Sequence, residues 1–317
     1  MRYVELPGVR VSAIGLGCWQ FGSGEWGYGK EYADREAGPI VNRALDLGIN
    51  LIDTAEIYGL GRSESIVGRA IAGRRGEVFL ATKILPVFPI ASVVRRRAQG
   101  SARRLGVSKL DLYQLHFPNP VVPVSRAMAG MRRLQRTGLV GHVGVSNYSL
   151  KGWHAAEKAL GSPVLSNQVQ FSLVRRKPLD ALVPYAQQAG RLVIAYSPLA
   201  QGFLSGRYDA THLPTGTVRR RNALFSPANL DRGAGLIDAL REIGKTHGAT
   251  PSQVALAWLI RIPNVVAIPG ASRVGQVEEN AAAADLALSD DEDARLRGLA
   301  ERFSSRPTSH GPEGLGR

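Results

Sequence analysis

The chain has 317 residues, of which 44% are hydrophobic and 21% are charged, a composition typical of globular proteins. It contains no run of about 18 apolar residues and no apolar segment near Met1, which argues against a membrane span and a signal peptide. The single cysteine, Cys18, excludes an internal disulfide and favours a reducing, cytoplasmic location.

The chain is strongly basic, with a formal net charge of +14 and an isoelectric point near 10.4. Arginine clusters at 95–97, 103–104 and 219–221 carry much of this charge. Nucleic-acid binding is one interpretation of such a balance, and solvated helix faces are the other. Because no nucleic-acid-binding motif accompanies the arginines, we predict that the chain has no nucleic-acid partner and no membrane partner.

Strands and helices are predicted to alternate along most of the chain. Residues 1–11 are predicted to form a hairpin with a turn at Pro7-Gly8. Eight apolar strands are then predicted at 12–17, 49–53, 78–83, 110–116, 142–145, 165–170, 192–196 and 264–268. One helix is predicted to end at Leu47, and the next is predicted to start at 62–63 with Ser63 as its N-cap. Further helices are predicted at 91–105, 124–136, 149–160, 179–189, 236–246, 249–260, 276–284 and 290–302.

Two segments interrupt this alternation. Residues 22–27 match the sequence pattern G-x-G-x-x-G, but a dinucleotide-binding turn must open a helix directly. Here the bulky Trp26 and Tyr28 intervene and helical periodicity resumes only near 34–39, so we predict a loop that carries aromatic residues. Residues 202–235 form the second interruption, and loops of such length are usually functional or disordered.

The spacing of the strand ends predicts the fold class. Successive strands end near residues 53, 83, 116 and 147, so each repeat has the length of one βα unit. Eight such units close a barrel. We therefore predict an α/β protein, a (β/α)8 TIM barrel with an N-terminal hairpin and C-terminal extra helices. One domain is expected to span 1–317, with a polar tail from about 304.

Four polar residues lie at or just beyond three successive strand ends, where a barrel of this kind presents its chemistry. They are Asp53, Tyr58, Lys83 and His116. Taken singly, Asp53 can cap a turn, Tyr58 can pack and His116 can be a core histidine. A lysine at the end of an apolar strand is harder to explain by packing, and the four together favour a catalytic site.

At these positions the chain resembles the aldo-keto reductase family, nearly from end to end. The matching strings, in chain order, are DTAEIYG at 53–59, SE at 63–64, ATK at 81–83, DLYQLH at 111–116, GVSN at 144–147, NQ at 167–168, AYSPL at 195–199, IPG at 268–270 and EN at 279–280. The chain is most similar to the branch that contains the potassium-channel β subunits and bacterial relatives.

The resemblance implies reduction of an aldehyde or ketone to an alcohol with NADPH. Hydride addition to a carbonyl leaves an alkoxide that must be protonated, and Tyr58 is expected to be the general acid. Its ordinary pKa is about 10, and the ammonium of Lys83 is expected to lower it. Asp53 would hold Lys83, and His116 would orient the carbonyl oxygen. The resemblance also permits an alternative, an NADPH-binding regulatory subunit with weak reductase activity.

Further positions match the family's cofactor-binding residues. The candidates are Trp19, Asp53, Ser146, Asn147, Gln168, Tyr196, Ser197, Leu199, Gln201, Arg207, Gly270, Ser272, Arg273, Gln276, Glu279 and Asn280. Tyr196 would stack on the nicotinamide, and Arg273 or Arg207 would pair with the 2′-phosphate, so we expect NADP rather than NAD. Some family members carry lysine and arginine at the positions of Gly270 and Gln276, and this chain does not.

The remaining histidines have no metal-ligand spacing and no nucleophilic triad is visible, so we expect no metal. Aromatic residues after the strand ends either line the substrate-binding wall or pack within their loops, and they are Trp19, Phe21, Trp26, Phe88 and Phe117. The segment 84–89 offers few polar groups, which favours an apolar or aromatic carbonyl substrate.

Overall fold

The computed structural model describes residues 1–22 and 30–303, without the side chains of residues 30, 33 and 34. The predicted aromatic loop, including Trp26, and the predicted polar tail lie outside the described residues. Among the described residues, no helix is both long and apolar enough to cross a bilayer.

The chain begins with the predicted hairpin, formed by β1 (Tyr3–Leu6) and β2 (Val9–Ser12), which pair antiparallel across a turn at Gly8. Gly8 has a φ of 74°, a left-handed conformation that glycine adopts without steric cost. Val9 and Val11 are buried against side chains inside the barrel, including Leu51 and Leu112. The hairpin therefore closes the amino-terminal end of the barrel.

Eight parallel strands form a second sheet in sequential order. They are β3 (Leu16–Gly17), β4 (Leu51–Asp53), β5 (Phe79–Ile84), β6 (Leu110–Leu115), β7 (Val140–Ser146), β8 (Ser166–Gln170), β9 (Leu192–Tyr196) and β10 (Val265–Ala267). Parallel bridges from Ile14 to Ala267 and from Gly17 to Gly270 join the first strand region to the last. The predicted (β/α)8 barrel is confirmed.

Helices cover the outside of this sheet. Their bounds are α1 (Lys30–Asp46), α2 (Arg62–Ile71), α3 (Ala91–Leu105), α4 (Val124–Arg136), α5 (Leu150–Leu160), α6 (Leu182–Ala189), α7 (Thr217–Arg220), α8 (Pro227–His247), α9 (Pro251–Ile260), α10 (Val274–Ala282) and α11 (Asp290–Arg302). In α4 the apolar residues Ala127, Met131 and Leu134 recur at helical spacing, and the face that they form is buried. α9 starts at a capping box formed by Thr250 and Gln253.

Three sequence-based predictions about these elements were wrong. Ser63 is not the N-cap of α2, because Gly61 holds that position and the Ser63 hydroxyl donates instead to the Cys18 carbonyl at 2.7 Å. The predicted first strand is shorter, because Ser12 belongs to the hairpin. α8 starts at Pro227, so the interruption after β9 is shorter than 202–235 and contains α7.

Candidate active site

The predicted catalytic residues lie together at the carboxyl end of three neighbouring strands. Asp53 ends β4, Lys83 lies near the end of β5, and His116 directly follows β6. Tyr58 lies in the turn after β4, where its backbone N–H donates to the Ala55 carbonyl at 3.1 Å. Sequential parallel strands carry these side chains to one edge of the sheet.

Lys83 connects the other groups. Its ammonium donates to Asp53 Oδ1 at 2.5 Å, to the Thr54 carbonyl at 2.9 Å and to the Tyr58 hydroxyl at 3.3 Å. Lys83 and Asp53 are both buried, so water competes little for this contact. The three acceptors fully use the donors of the ammonium and fix its position.

Lys83 remains charged in this environment. Burial acts to lower its pKa, but the charge of Asp53 and the contacts with Asp53 and Tyr58 outweigh burial and hold the pKa above the ordinary value. A buried cation is stable only when it is paired and hydrogen-bonded, and Asp53 supplies that pairing.

The pKa of Tyr58 differs in direction from the sequence-based expectation. Burial raises it above the ordinary value near 10, and Asp53 adds to that effect. Lys83 opposes both through its charge and its hydrogen bond, without reversing the net shift. The sequence indicated the ammonium but not the extent of desolvation, and the phenol therefore stays protonated throughout the neutral range.

His116 is a neutral imidazole. Burial and then the positive charge of Lys83 lower its pKa to about 3. Its Nδ1 atom is buried and has no hydrogen-bond partner among the described residues. The ring meets the edge of the Tyr58 ring with centroids 5.8 Å apart and stacks on Phe117 at 4.6 Å.

The second oxygen of Asp53 is held by two amides. Gln168 Nε2 donates to Oδ2 at 2.8 Å, and Gln114 Nε2 donates more weakly at 3.4 Å. Since a carboxylate only accepts hydrogen bonds, the Gln168 amide oxygen must point away from Asp53. Sequence reasoning missed Gln114, although its place in a strand two residues before His116 indicates an inward side chain.

Asn147 joins both sides of the site. Its amide nitrogen donates to the His116 carbonyl at 3.1 Å and to Ser146 Oγ at 3.0 Å, and its amide oxygen accepts from the Tyr196 hydroxyl at 2.9 Å. Its φ is 62°, a left-handed conformation that asparagine tolerates better than most residues. Thus Ser146, Asn147 and Tyr196 are brought together with His116.

The loop after β9 has an unusual backbone. Ser197, Ala200, Gln201 and Gly202 all have positive φ, from 48° to 98°. The Gln201 carbonyl accepts from Arg219 Nε at 2.8 Å, and the Gln201 side chain accepts from Asn222 at 3.1 Å. Left-handed residues within a turn can direct successive backbone N–H groups toward an anion. Leu199 packs against the core, and Arg207 is exposed.

The other cofactor candidates lie beyond β10 at the start of α10. The Gln276 side chain accepts from the backbone N–H and hydroxyl of Ser272 at 2.7 and 2.9 Å. Glu279 accepts from Thr250 at 2.8 Å, and Asn280 is buried. Arg273 is exposed. A side chain at Gly270 would contact the amide of Gln20, which would have to move.

The aromatic candidates for the substrate-binding wall separate into two groups. The Trp19 ring lies 6.3 Å from the Tyr58 ring and is partly exposed, Phe88 is exposed, and Phe117 stacks on His116. Phe21 is fully buried in the core, so packing is the interpretation that holds for this residue.

Two surface grooves lie away from these residues, on the helical wall. One, of about 450 Å³, is lined by Arg95, Gln99 and Arg133 among others, and the second, of about 560 Å³, by Arg132 and Arg136. Neither groove is lined by Asp53, Tyr58, Lys83 or His116. No group of three or more potential metal ligands occurs within the parts of the chain that the structure describes.

Comparison with known proteins agrees with this geometry. The Aldo/keto reductase family model matches residues 13–301. An uncharacterized oxidoreductase of Mycobacterium tuberculosis strain H37Rv is 53% identical over 312 residues, which cover 98% of this chain and 96% of the relative.

Solved structures are similar over nearly the whole chain. The glycerol dehydrogenase of Gluconobacter oxydans has a TM-score of 0.87 at 27% identity, covering 99% of this chain and 98% of its own. An aldo/keto reductase from Klebsiella pneumoniae, in complex with NADP and acetate, has a TM-score of 0.77 at 31% identity, covering 94% and 95%. With eight parallel strands, a lysine that contacts both a tyrosine and an aspartate, and a family match over most of its length, the chain belongs to the aldo/keto reductase family.

Proposed function

We propose that the chain is one enzyme domain that reduces an aldehyde or ketone to an alcohol with NADPH, with Tyr58 as the proton donor. The observation that carries the proposal is the buried ammonium of Lys83, which contacts Asp53 at 2.5 Å and the Tyr58 hydroxyl at 3.3 Å. An acid within reach of a developing alkoxide is what carbonyl reduction requires.

The residues present fit a nicotinamide cofactor. The amide oxygen of Gln168 points away from Asp53 and would accept from a carboxamide. The Tyr196 hydroxyl is held by Asn147, which also contacts the His116 carbonyl, and the Tyr196 ring would stack on the nicotinamide. The left-handed loop after β9 and the exposed Arg273 suit phosphate groups. When bound, the reduced nicotinamide supplies the hydride.

Four side chains of the protein have the remaining roles in the reaction. Neutral His116 donates a hydrogen bond that orients the carbonyl oxygen, and Tyr58 transfers its proton to that oxygen as charge develops there. Lys83 stabilises the phenolate that remains, while Asp53 keeps Lys83 charged and in place. Oxidation of an alcohol uses the same groups in reverse.

The direct test is consumption of NADPH that depends on added carbonyl compound. A panel of aldehydes and ketones should give NADPH oxidation matched one to one by alcohol formation. If no member of the panel is reduced and a pull-down yields a stable protein partner instead, the alternative of a regulatory NADPH-binding subunit replaces this proposal.

The rate of reduction is expected to be nearly independent of pH between about 5 and 9. His116 must be neutral, and it loses that state only as the pH falls toward its pKa of about 3. Tyr58 must be protonated, and it loses its proton only as the pH rises through a pKa above the ordinary 10. The measurement is kcat/KM against pH, and a break near 6 to 7 would contradict a neutral buried imidazole.

Arg273→Ala is expected to weaken NADPH binding by roughly 10- to 100-fold and NADH binding by less than about twofold. The reason is that a hydrogen bond to a charged group is worth about 1.5–3 kcal/mol, and only NADPH carries the 2′-phosphate. Fluorescence titration of both cofactors gives the dissociation constants. Arg207→Ala is the matched comparison, and a larger selective loss there would move the phosphate contact to Arg207.

A further inference from the structure

Exposed apolar side chains are concentrated around the mouth of the barrel. Eight large apolar residues are exposed among the described residues, and seven of them follow the four consecutive strands β3 to β6. Six belong to the loops after β4, β5 and β6 and are called here the apolar rim, which consists of Ile57, Leu60, Val87, Phe88, Ile90 and Val121. Such a concentration marks a binding surface more often than chance exposure.

Two rim residues adopt a backbone conformation that their side chains disfavour. Leu60 has a φ of 54° and is 92% exposed, and Phe88 has a φ of 45° and is 72% exposed. Bulky residues rarely take up left-handed conformations, because Cβ then approaches the following carbonyl. Glycine or asparagine would fit both positions with less strain, so the apolar side chains are retained at a cost to stability.

The rim loops are tied to one another. Glu56, from the loop after β4, accepts from the Leu85 backbone N–H at 2.6 Å and from Arg97 at 2.9 Å, and Arg97 also donates to the Leu85 carbonyl at 2.8 Å. Asn119, from the loop after β6, donates to the Pro86 carbonyl at 2.7 Å. The rim is therefore held in place before any ligand binds, which reduces the entropy lost on binding.

Two of the three rim loops carry no charged residue. Residues 84–94 and 117–125 contain no Asp, Glu, Lys or Arg, although 21% of the whole chain is charged. The side chain of Asn119 is already used within its own loop and toward Pro86, since its oxygen accepts from the Val121 and Val122 backbone at 2.8 and 2.6 Å. The loops after β5 and β6 therefore supply no charged side chain for a phosphate, carboxylate or ammonium group, and in the loop after β4 Glu56 is already paired with Arg97.

The rim is continuous with the proposed proton donor. Ile57 directly precedes Tyr58, and Leu60 follows it by two residues. On the next strand but one, Phe117 stacks on His116 and begins the loop that carries Val121. If the carbonyl group of a bound substrate lies at Tyr58 and His116, the rest of the substrate would extend out of the barrel over this rim.

We propose that the substrate is a carbonyl compound with an extended apolar tail, a medium- to long-chain aliphatic aldehyde whose chain lies across the apolar rim. This inference rests on the proposed carbonyl reductase function and adds the substrate class. Burial of each methylene against Leu60, Phe88 and Val121 supplies binding energy, and no polar group on the tail is needed.

The test compares kcat/KM for propanal, butanal, hexanal and octanal with NADPH. Each added methylene is expected to raise kcat/KM by about two- to fourfold, which gives at least about 30-fold from propanal to octanal. Straight-chain alcohols used as inhibitors of propanal reduction should become more potent by a similar factor per methylene. The inhibitor series does not depend on turnover of the long aldehydes.

The variants remove apolar surface without disturbing the backbone. Leu60→Asn and Phe88→Asn place a residue that tolerates positive φ at each position. The double variant is expected to lower the ratio of kcat/KM for octanal to that for propanal by at least about tenfold. Leu213→Asn is the matched control, because Leu213 is 48% exposed but follows β9, across the barrel from β5, and its ratio should equal the parental one.

The outcomes are distinguishable. A flat response to chain length in the parent protein, or a parental ratio in a folded double variant, overturns the proposal. A different outcome is that sedimentation velocity shows a dimer for the parent protein and a monomer for the double variant, while the ratio of kcat/KM for octanal to that for propanal stays parental. In that case the rim is a contact between copies of the chain and the proposal is also wrong. Failure to reduce any aldehyde, including propanal, refutes the carbonyl reductase function itself. If the double variant does not fold, as judged by circular dichroism, Leu60→Asn alone and the alcohol series provide the same test.

Discussion

Tyr58→Phe is expected to lower kcat for aldehyde reduction by about 10²- to 10⁴-fold, the range by which general acid catalysis accelerates proton transfer. The variant removes only the hydroxyl that Lys83 contacts at 3.3 Å. It keeps the ring that packs near Trp19 and His116. The dissociation constant for NADPH, measured by fluorescence titration, should therefore change by less than about twofold, since no cofactor contact is assigned to the hydroxyl.

Tyr113→Phe is the matched control for this experiment. Tyr113 is a fully buried tyrosine on β6 whose hydroxyl has no hydrogen-bond partner among the described residues, and burial raises its pKa well above the ordinary value. Removing that hydroxyl should leave kcat at the parental value. Parental turnover in Tyr58→Phe would refute the proton-donor role, and an equal loss in both variants would show that packing rather than chemistry was disturbed.

Lys83→Met is expected to abolish activity and also to lower the free energy of unfolding by about 3–5 kcal/mol. The cause is Asp53, which remains buried after its cationic partner is removed and keeps only the amide donors Gln168 and Gln114. Urea denaturation measures the change. Adding Asp53→Asn to Lys83→Met should recover part of the lost stability, because it removes the unpaired charge, but should not recover activity.

A surface ion pair provides the comparison for Lys83. Arg43 and Glu278 form an exposed pair at 2.8 Å, and Arg43→Met should cost no more than about 1 kcal/mol. Similar losses for Lys83→Met and Arg43→Met would mean that the Lys83–Asp53 contact contributes no more to stability than an ordinary solvated pair.

Amphipathic elements were predicted from the sequence with the greatest accuracy. α3, α4 and α11 have the predicted bounds, because clear apolar periodicity is bounded by proline or glycine or by a capping serine. β9 also has its predicted bounds, although it is a continuous apolar run. The α8 start was missed because the segment before Leu236 contains two glycines, which indicate a loop. In the structure a side chain at Gly233 would collide with the Phe203 ring, so this glycine permits close helix packing.

The candidate site was predictable as a set of residues and less so as a network. Strand ends and family strings identified Asp53, Tyr58, Lys83 and His116 and their common location. No pattern in the sequence indicated that Asn147 would connect His116 to Tyr196, because those contacts depend on the left-handed backbone at Asn147. The net direction of the Tyr58 pKa shift was also inaccessible, since it depends on burial produced by distant segments.

The closure of the barrel has a consequence for folding. Ile14 pairs with Ala267, and Gly17 with Gly270, about 250 residues apart in sequence. Until the last strand has been made, the edges of β3 and β9 have no neighbours, and unpaired strand edges are prone to intermolecular pairing. Truncation before β10 is therefore more hazardous to the cell than truncation after it, because the shortened chain can aggregate through edges that the complete sheet conceals.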